Sequence, residues 1–546
     1  MNYSISGNIV DVLNQRIFKG VIQIKEGRIL SITETDVDET TYILPGLIDA
    51  HIHIESSMLI PTEFARSAVI HGTVATVSDP HEIANVLGMR GVEFMLDNAR
   101  QTPFKFHFGA PSCVPATPFE TAGASITATE IAQLLRQPEI VSLSEMMNVP
   151  GVLNDAPDVF EKLELAIQAG KVIDGHAPGL RGEAVEKYIR AGITTDHECF
   201  SMEEALEKLS LGMQIQIREG SAARNLDDLV PLLHDHYQNC MLCSDDKHPD
   251  DLAEAHINDM VKRAIAAGVP PLKALWSATV TPVHTYSLDV GLLQVGDPAD
   301  MLIVDNLSNF GVLETYIDGV LVAKDGSTKL PTLKSNPVNH FVAEKQEAKN
   351  FQLRPKEEKC PVIEVIDGQL ITRKLEYTPK LDKQGFIQAD LDEDILKIAV
   401  LNRYTPSTPA VALIKNFGLK SGAIASSVAH DSHNIVAVGT SDTALAQAIN
   451  LIIEHKGGIS AITDTQEHVL PLPVAGIMSN DDAFRVGKQY GDMDDIAKSM
   501  GSQLGAPYMT LSFMALLVIP DIKLSDKGLF DGETFEFMDV FETNKS

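Results

Sequence analysis

The chain is poor in positive charge. Of its 546 residues, 44 are lysine or arginine and 75 are aspartate or glutamate, a formal net charge of −31. This balance argues against a nucleic-acid backbone or an anionic membrane surface as partner and suits a neutral or cationic small molecule. Most of the excess is expected to be a solvated acidic surface that aids solubility. Cysteine is scarce and odd in number, at positions 113, 199, 240, 243 and 360, which points to reduced thiols and a cytoplasmic protein. Cys240-Met241-Leu242-Cys243 has no second such pair and lies inside an apolar strand-like run, so core packing is expected there. Long apolar runs are missing as well. The strongly apolar stretch 513–520 is far too short to span a bilayer, and residues 1–20 lack the basic start and apolar core of a signal peptide. No internal repeat or low-complexity tract is visible.

Apolar content of 44% and charged content of 22% belong to an ordinary globular protein. The length calls for about two to four domains. Residues 1–45 alternate in short apolar segments such as Gly20-Val21-Ile22-Gln23-Ile24, with a turn at Glu26-Gly27; the pattern returns at 296–305 and 316–324. These flanking segments, 1–45 and 290–345, are expected to pair into one small β-sandwich domain. Between them, residues 46–289 carry eight apolar runs (43–50, 73–78, 104–109, 140–143, 171–173, 192–195, 214–217 and 240–243) separated by amphipathic stretches. Eight such units predict a parallel (β/α)₈ barrel of the TIM type. Residues 330–358 are polar and lysine-rich with three prolines, and read as a linker or edge. Residues 346–546 are expected to form a separate α/β domain, with strands at 395–400 and 408–414 and a helix at 442–454.

The most informative local feature is His51-Ile52-His53, at the end of the first apolar run. Residues two apart on a strand share a face, so both imidazoles can address one point. Catalytic residues of a (β/α)₈ barrel lie at the C-terminal ends of its strands. Those ends carry His51 and His53, Asp79-Pro80-His81-Glu82, Glu145, His176, Asp196-His197-Glu198, and Asp245-Asp246. One strand-end histidine is more often a satisfied structural residue than a ligand; this set in register reverses that expectation. It implies two divalent transition metals, one on His51, His53 and Asp245, the other on His176 and His197, with Glu145 bridging. Imidazole mixed with carboxylate suits Mn²⁺, Fe²⁺ or Zn²⁺ and disfavours Mg²⁺ or Ca²⁺. Two such ions can share a water and lower its pKa toward neutrality, giving a hydroxide nucleophile, with Asp245 as the proton shuttle. His81 and Glu82 are open between metal ligation, proton relay and capping of a helix starting at Ile83.

The run Pro45-Gly46-Leu47-Ile48-Asp49-Ala50-His51-Ile52-His53 resembles the opening motif of the amidohydrolase superfamily. Many of its members place a carbamylated lysine at strand four, where this chain has Glu145. The segments HIHIESSM (51–58), DPHEIAN (79–85), EMMNVPGV (145–152), DGHAP (174–178) and CSDDKHPDD (243–251) narrow the resemblance to the bacterial adenine deaminase family. AHDSHN (429–434) and LPLPVAGIMS (470–479) extend it through the C-terminal region. The resemblance implies conversion of adenine to hypoxanthine and ammonia, and so a role in purine salvage. Water would replace the amino group, with Glu82 or another pocket carboxylate protonating a ring nitrogen. Arg218 and Glu219, at the end of strand seven, are candidates for adenine's polar edge or for a loop ion pair. A homodimer is the expected assembly. The zinc nucleobase deaminases are excluded: His53-Ile54-Glu55 and Cys240–Cys243 mimic their motifs, but Asn239 replaces the required proline. The rival readings are another amidohydrolase, such as an N-acetylglucosamine-6-phosphate deacetylase, and a catalytically silent scaffold. The acidic balance weighs against the first and the intact ligand set against the second. His430, Asp431 and His433 form a polar cluster for which a structural turn is the commoner explanation, against a further metal or closure over the barrel mouth.

Overall fold

The structure is a computed structural model and describes residues 2–221 and 223–543. Eight parallel strands occupy the middle of the chain: Leu47–Ile52, Thr73–Ser78, Lys105–Ala110, Ile140–Met146, Val172–Gly175, Thr195–Asp196, Gln214–Arg218 and Cys240–Cys243. The first five form one hydrogen-bonded sheet and the last three another. Two joins close the ring. Thr194 N donates to Ile173 O at 3.0 Å, and Asp245 N donates to His51 O at 2.9 Å. The strands are short, apolar and covered on both faces; Thr73–Ser78 and Cys240–Cys243 are buried throughout, as a parallel sheet wrapped by helices requires. Cys240 and Cys243 are thus core residues, and all five cysteines are free and buried.

The first barrel strand is shorter than the apolar run suggests. Tyr42–Pro45 leaves the barrel and pairs with Asn2–Asp11 on one side and Met301–Val304 on the other. Gly46 separates the two strands, and a Cβ there would lie 2.3 Å from Val74 Cγ2. Only glycine allows the chain to pass so close to the second barrel strand while changing sheets.

Tyr42–Pro45 therefore joins the two flanking β segments into one eight-stranded sheet. Hydrogen bonds from Ile29 N to Asp297 O (2.9 Å) and Ala299 N to Gly27 O (2.8 Å) fold that sheet back on itself. Ile9, Ile22, Ile24, Ile43 and Met301 fill its interior.

Residues 331–347 carry no helix or strand; Leu353–Pro355 then pairs with Phe541–Thr543. The C-terminal region is built on a second eight-stranded sheet, with Ile395–Leu401 and Ala410–Lys415 at its centre and Asp442–His455 packed on it. Its core is continuous with that of the barrel, through residues such as Phe64, Met478, Val486 and Tyr490. Polar ties cross the same junction: Ser479 N to Met58 O (2.7 Å), Ala483 N to Glu63 Oε2 (3.0 Å) and Arg66 Nη1 to Asp482 Oδ2 (2.7 Å). Among the described residues, no helix is long and apolar enough to cross a membrane.

Candidate active site

The C-terminal ends of the barrel strands bring six of the expected residues to one place. His51 and His53 meet edge-on, with ring centroids 4.9 Å apart. His53 Nε2 lies 3.2 Å and His51 Nε2 3.8 Å from the same oxygen, Asp245 Oδ1. Glu145 sits between two histidine groups. Its Oε1 is 3.4 Å from His53 Nε2, while its Oε2 is 2.9 Å from His176 Nδ1 and 3.1 Å from His197 Nε2. The rings of His51 and His197 stack with centroids 4.1 Å apart. Asp245 adopts a left-handed backbone (φ 54°), a conformation that costs energy outside glycine and that gathers at functional sites. Its neighbour Asp246 accepts from Ser56 Oγ at 2.5 Å and lies near enough to His53, Glu82 and His430 to act on them electrostatically. Five of the six side chains are 1–4% exposed; His176, at 23%, marks the solvent-facing side.

Burial on this scale disfavours charge unless partners supply it. Burial, with the neighbouring imidazoles of His197 and His53, holds His51 well below the ordinary histidine pKa and leaves it neutral. Burial opposes ionisation of Glu145, but His176 and His197 outweigh it and keep the carboxylate charged. Asp245 is likewise kept ionised against burial, chiefly by Arg218. Arg218 grips Glu198 with both terminal nitrogens, Nη2 to Oε2 at 2.8 Å, and also bonds Asp245 Oδ2. Glu219 forms the loop ion pair instead, 2.6 Å from Arg263 Nη1.

Glu198, a strand-end residue with no expected role, joins the cluster: Oε1 is 3.5 Å from His197 Nε2 and 3.6 Å from His176 Nδ1. Its position directly after a strand-end histidine was the available signal. His81 stands between two groups, its Nδ1 3.0 Å from Asp79 and 3.6 Å from Glu145 Oε1, its Nε2 3.6 Å from Glu82 Oε1. The helix begins at His81, and the Ile83 amide is taken by Glu55 Oε1 at 3.2 Å, so Glu82 does not cap it. Glu82 instead meets the C-terminal region: His430 Nδ1 bonds one carboxylate oxygen and His433 Nε2 the other. The 430–433 segment thus packs onto Glu82 at the barrel mouth, and its Asp431 lies with His81 and Glu82 in a further group that could hold a metal.

Several buried nitrogens and oxygens here carry no hydrogen-bond partner among the described residues, including His51 Nε2 and His197 Nδ1. Such atoms are costly to bury unless something else satisfies them. Donor atoms of His51, His53 and Asp245, of His51, Glu145 and His197, and of His176, His197 and Glu198 each lie within 4.8 Å of one another. A neutral His51, ionised carboxylates that draw His53, His176 and His197 around them, and unsatisfied nitrogens together fit divalent transition-metal binding, in which a cation takes the place of those imidazoles' protons.

Comparison with known proteins shows the family. Residues 42–322 match the model of the amidohydrolase family, and residues 369–536 match that of the adenine deaminase C-terminal domain. An adenine deaminase of Sulfurovum sp. is 53% identical over 536 residues, 97% of this chain and 98% of that protein. One from Salinibacter ruber is 51% identical over 542 residues, 99% of each chain. One from Borreliella burgdorferi is 45% identical over 545 residues, 98% of this chain and 99% of that protein. With identity of this order over nearly the whole of each chain, and family models matching both barrel and C-terminal region, the chain belongs to the adenine deaminase family of the amidohydrolases.

Proposed function

We propose that this protein hydrolyses adenine to hypoxanthine and ammonia at the barrel mouth, with two divalent transition metals held by the clustered residues. The observation that carries the reading is Glu145, whose two oxygens face two different sets of imidazoles. His51, His53 and Asp245 would hold one ion and His176 and His197 the other, with Glu145 shared. This donor set suits Mn²⁺, Fe²⁺ and Zn²⁺ alike, and Mn²⁺ or Fe²⁺ is proposed with Zn²⁺ as the alternative. When bound, such ions supply Lewis acidity that brings the pKa of a water toward neutrality.

The protein's own groups would do the rest. Asp245 Oδ1 takes the proton of the attacking water and returns it to the exocyclic nitrogen, so that ammonia leaves. Arg218 fixes the other oxygen of Asp245, which keeps Oδ1 turned toward His51 and His53. Glu82 is held ionised against burial by His430, His433 and His81, so the expected acid role passes to its pair with His430, whose pKa is pushed up to about 9. That pair would lend a proton to a ring nitrogen as water adds to the neighbouring carbon and recover one from the new hydroxyl as the C=O forms. The 430–433 segment packed onto Glu82 keeps bulk water from that proton path. The neutral, planar base leaves no charge to be matched. A sugar phosphate would need a free cationic group, and Arg218 is already committed to Glu198 and Asp245.

The direct test measures ammonia release from adenine and from adenosine, with acetate release from N-acetylglucosamine 6-phosphate in parallel. Turnover of adenine alone is expected. Acetate release without ammonia release would move the protein to the deacetylase branch. The acid assignment has its own check. Glu82→Gln keeps the size of the side chain but loses its charge. It should lower kcat on adenine by about 10²-fold or more, the usual worth of a positioned acid, while bound metal stays unchanged. A variant as fast as the parent protein would remove Glu82 from the mechanism.

A further inference from the structure

Lys208 is completely buried, which is rare for lysine and costly unless its charge is matched. It lies on the helix Met202–Ser210, begun by Ser201, whose Oγ accepts from Glu204 N. Its ammonium donates to three oxygens: Ala177 O at 2.6 Å, Glu204 Oε1 at 2.7 Å and Asp196 Oδ2 at 2.9 Å. Two of these belong to neighbours of proposed metal ligands. Ala177 directly follows His176, and Asp196 directly precedes His197. The same two residues are also joined to each other, since Ala177 N donates to Asp196 Oδ1 at 2.8 Å. One buried ion pair thus ties together the ends of strands five and six, and those ends carry the imidazoles that flank Glu145 Oε2.

The other half of the cluster is tied separately. Asp49 accepts from Ser244 N at 3.0 Å and faces His256 Nε2 at 2.8 Å, which fixes strand one to strand eight beneath His51 and Asp245. Neither tie uses a residue of the other.

We infer that Lys208, through Asp196 and Ala177, is a positioning residue that sets the spacing of His176 and His197 and so governs occupancy of one metal site of the pair. A surface lysine could not do this, because its flexible stem and solvated charge would hold neither loop. Inside the protein the three acceptors leave the ammonium one place to sit, and the two loops move only together. Because Asp49 and His256 secure the other half, loss of the Lys208 tie should empty one site and spare its neighbour.

The inference rests on the two-metal reading, and the experiment separates the two. Mn²⁺ per chain is measured across a series of buffered free Mn²⁺ concentrations, with the electron paramagnetic resonance spectrum recorded at each. The parent protein should bind two ions. Lys208→Met should bind one at the same free Mn²⁺ and require about 10- to 100-fold more for the second, the usual cost of losing a residue that orients ligands. Asp196→Asn, which keeps the side chain's shape but weakens its hold on Lys208, should shift the second ion in the same direction. Lys208→Arg, which keeps charge and donors, should restore much of the loss. Two ions bound to Lys208→Met and Asp196→Asn at parent concentrations would overturn the inference and leave Lys208 as packing. Loss of cooperative thermal unfolding in both variants would assign Lys208 to folding and overturn it equally. Fewer than two ions on the parent protein would instead remove the two-metal reading itself.

Discussion

Stripped of divalent metal by a chelator, the protein is expected to release no measurable ammonia from adenine, and added Mn²⁺ is expected to restore turnover. The size of the effect follows from the nucleophile. Water with a pKa of about 15.7 is almost never ionised at neutral pH, and a divalent ion in an enclosed site lowers that value to about 7. The side chains of the cluster can move protons, but positioned acids and bases contribute only about 10²- to 10⁴-fold each. They cannot replace the loss. Recovery should follow the filling of both sites rather than one, because Glu145 offers one oxygen to each imidazole group. Rate and bound Mn²⁺ measured on the same samples would show this. Undiminished turnover in protein shown to be metal-free would sink the metal reading while leaving the family assignment intact.

Replacing Glu145 by glutamine should be nearly as damaging, with kcat on adenine lowered by about 10³-fold or more and with less metal retained. The change preserves volume, so packing around the strand end is little disturbed. What changes is the chemistry of the two oxygens. Both now lie within 3.4 Å of imidazole nitrogens of His53, His176 or His197. In glutamine one of them becomes an NH₂ group, which donates hydrogen bonds and has no lone pair for a metal. The remaining oxygen cannot serve both imidazole groups, and the negative charge that balances two cations is lost. A thermal unfolding midpoint close to that of the parent protein would separate this effect from misfolding. A Glu145→Gln protein that kept both ions and most of its rate would show that Glu145 does not bridge.

The sequence alone determined a good deal of this protein. The eight apolar runs, and the histidine or carboxylate that follows six of them, predicted a barrel with His51, His53, Glu145, His176, His197 and Asp245 on one rim. This was legible because strand direction and side-chain alternation are local properties, and because a parallel barrel puts every strand's C-terminal end on the same face. The small sheet and the C-terminal strands near residues 395 and 410 were legible on the same terms.

Other features were decided only in three dimensions. The run from Tyr42 to Ala50 reads as one strand, yet it divides at Gly46 because Val74, on the neighbouring strand, leaves no room for a Cβ. Arg218 is drawn to Glu198 and Asp245 across 20 and 27 residues of sequence. Glu82 meets His430 and His433 across 348 and 351 residues, through packing between barrel and C-terminal region that no short motif encodes. Lys208 sits on a helix whose charged residues suggest an exposed face, but its stem points inward to Asp196 and Ala177. Local patterning dictates which way a side chain leaves its own element; which group it meets depends on how separate elements pack, and that is fixed by the whole core at once.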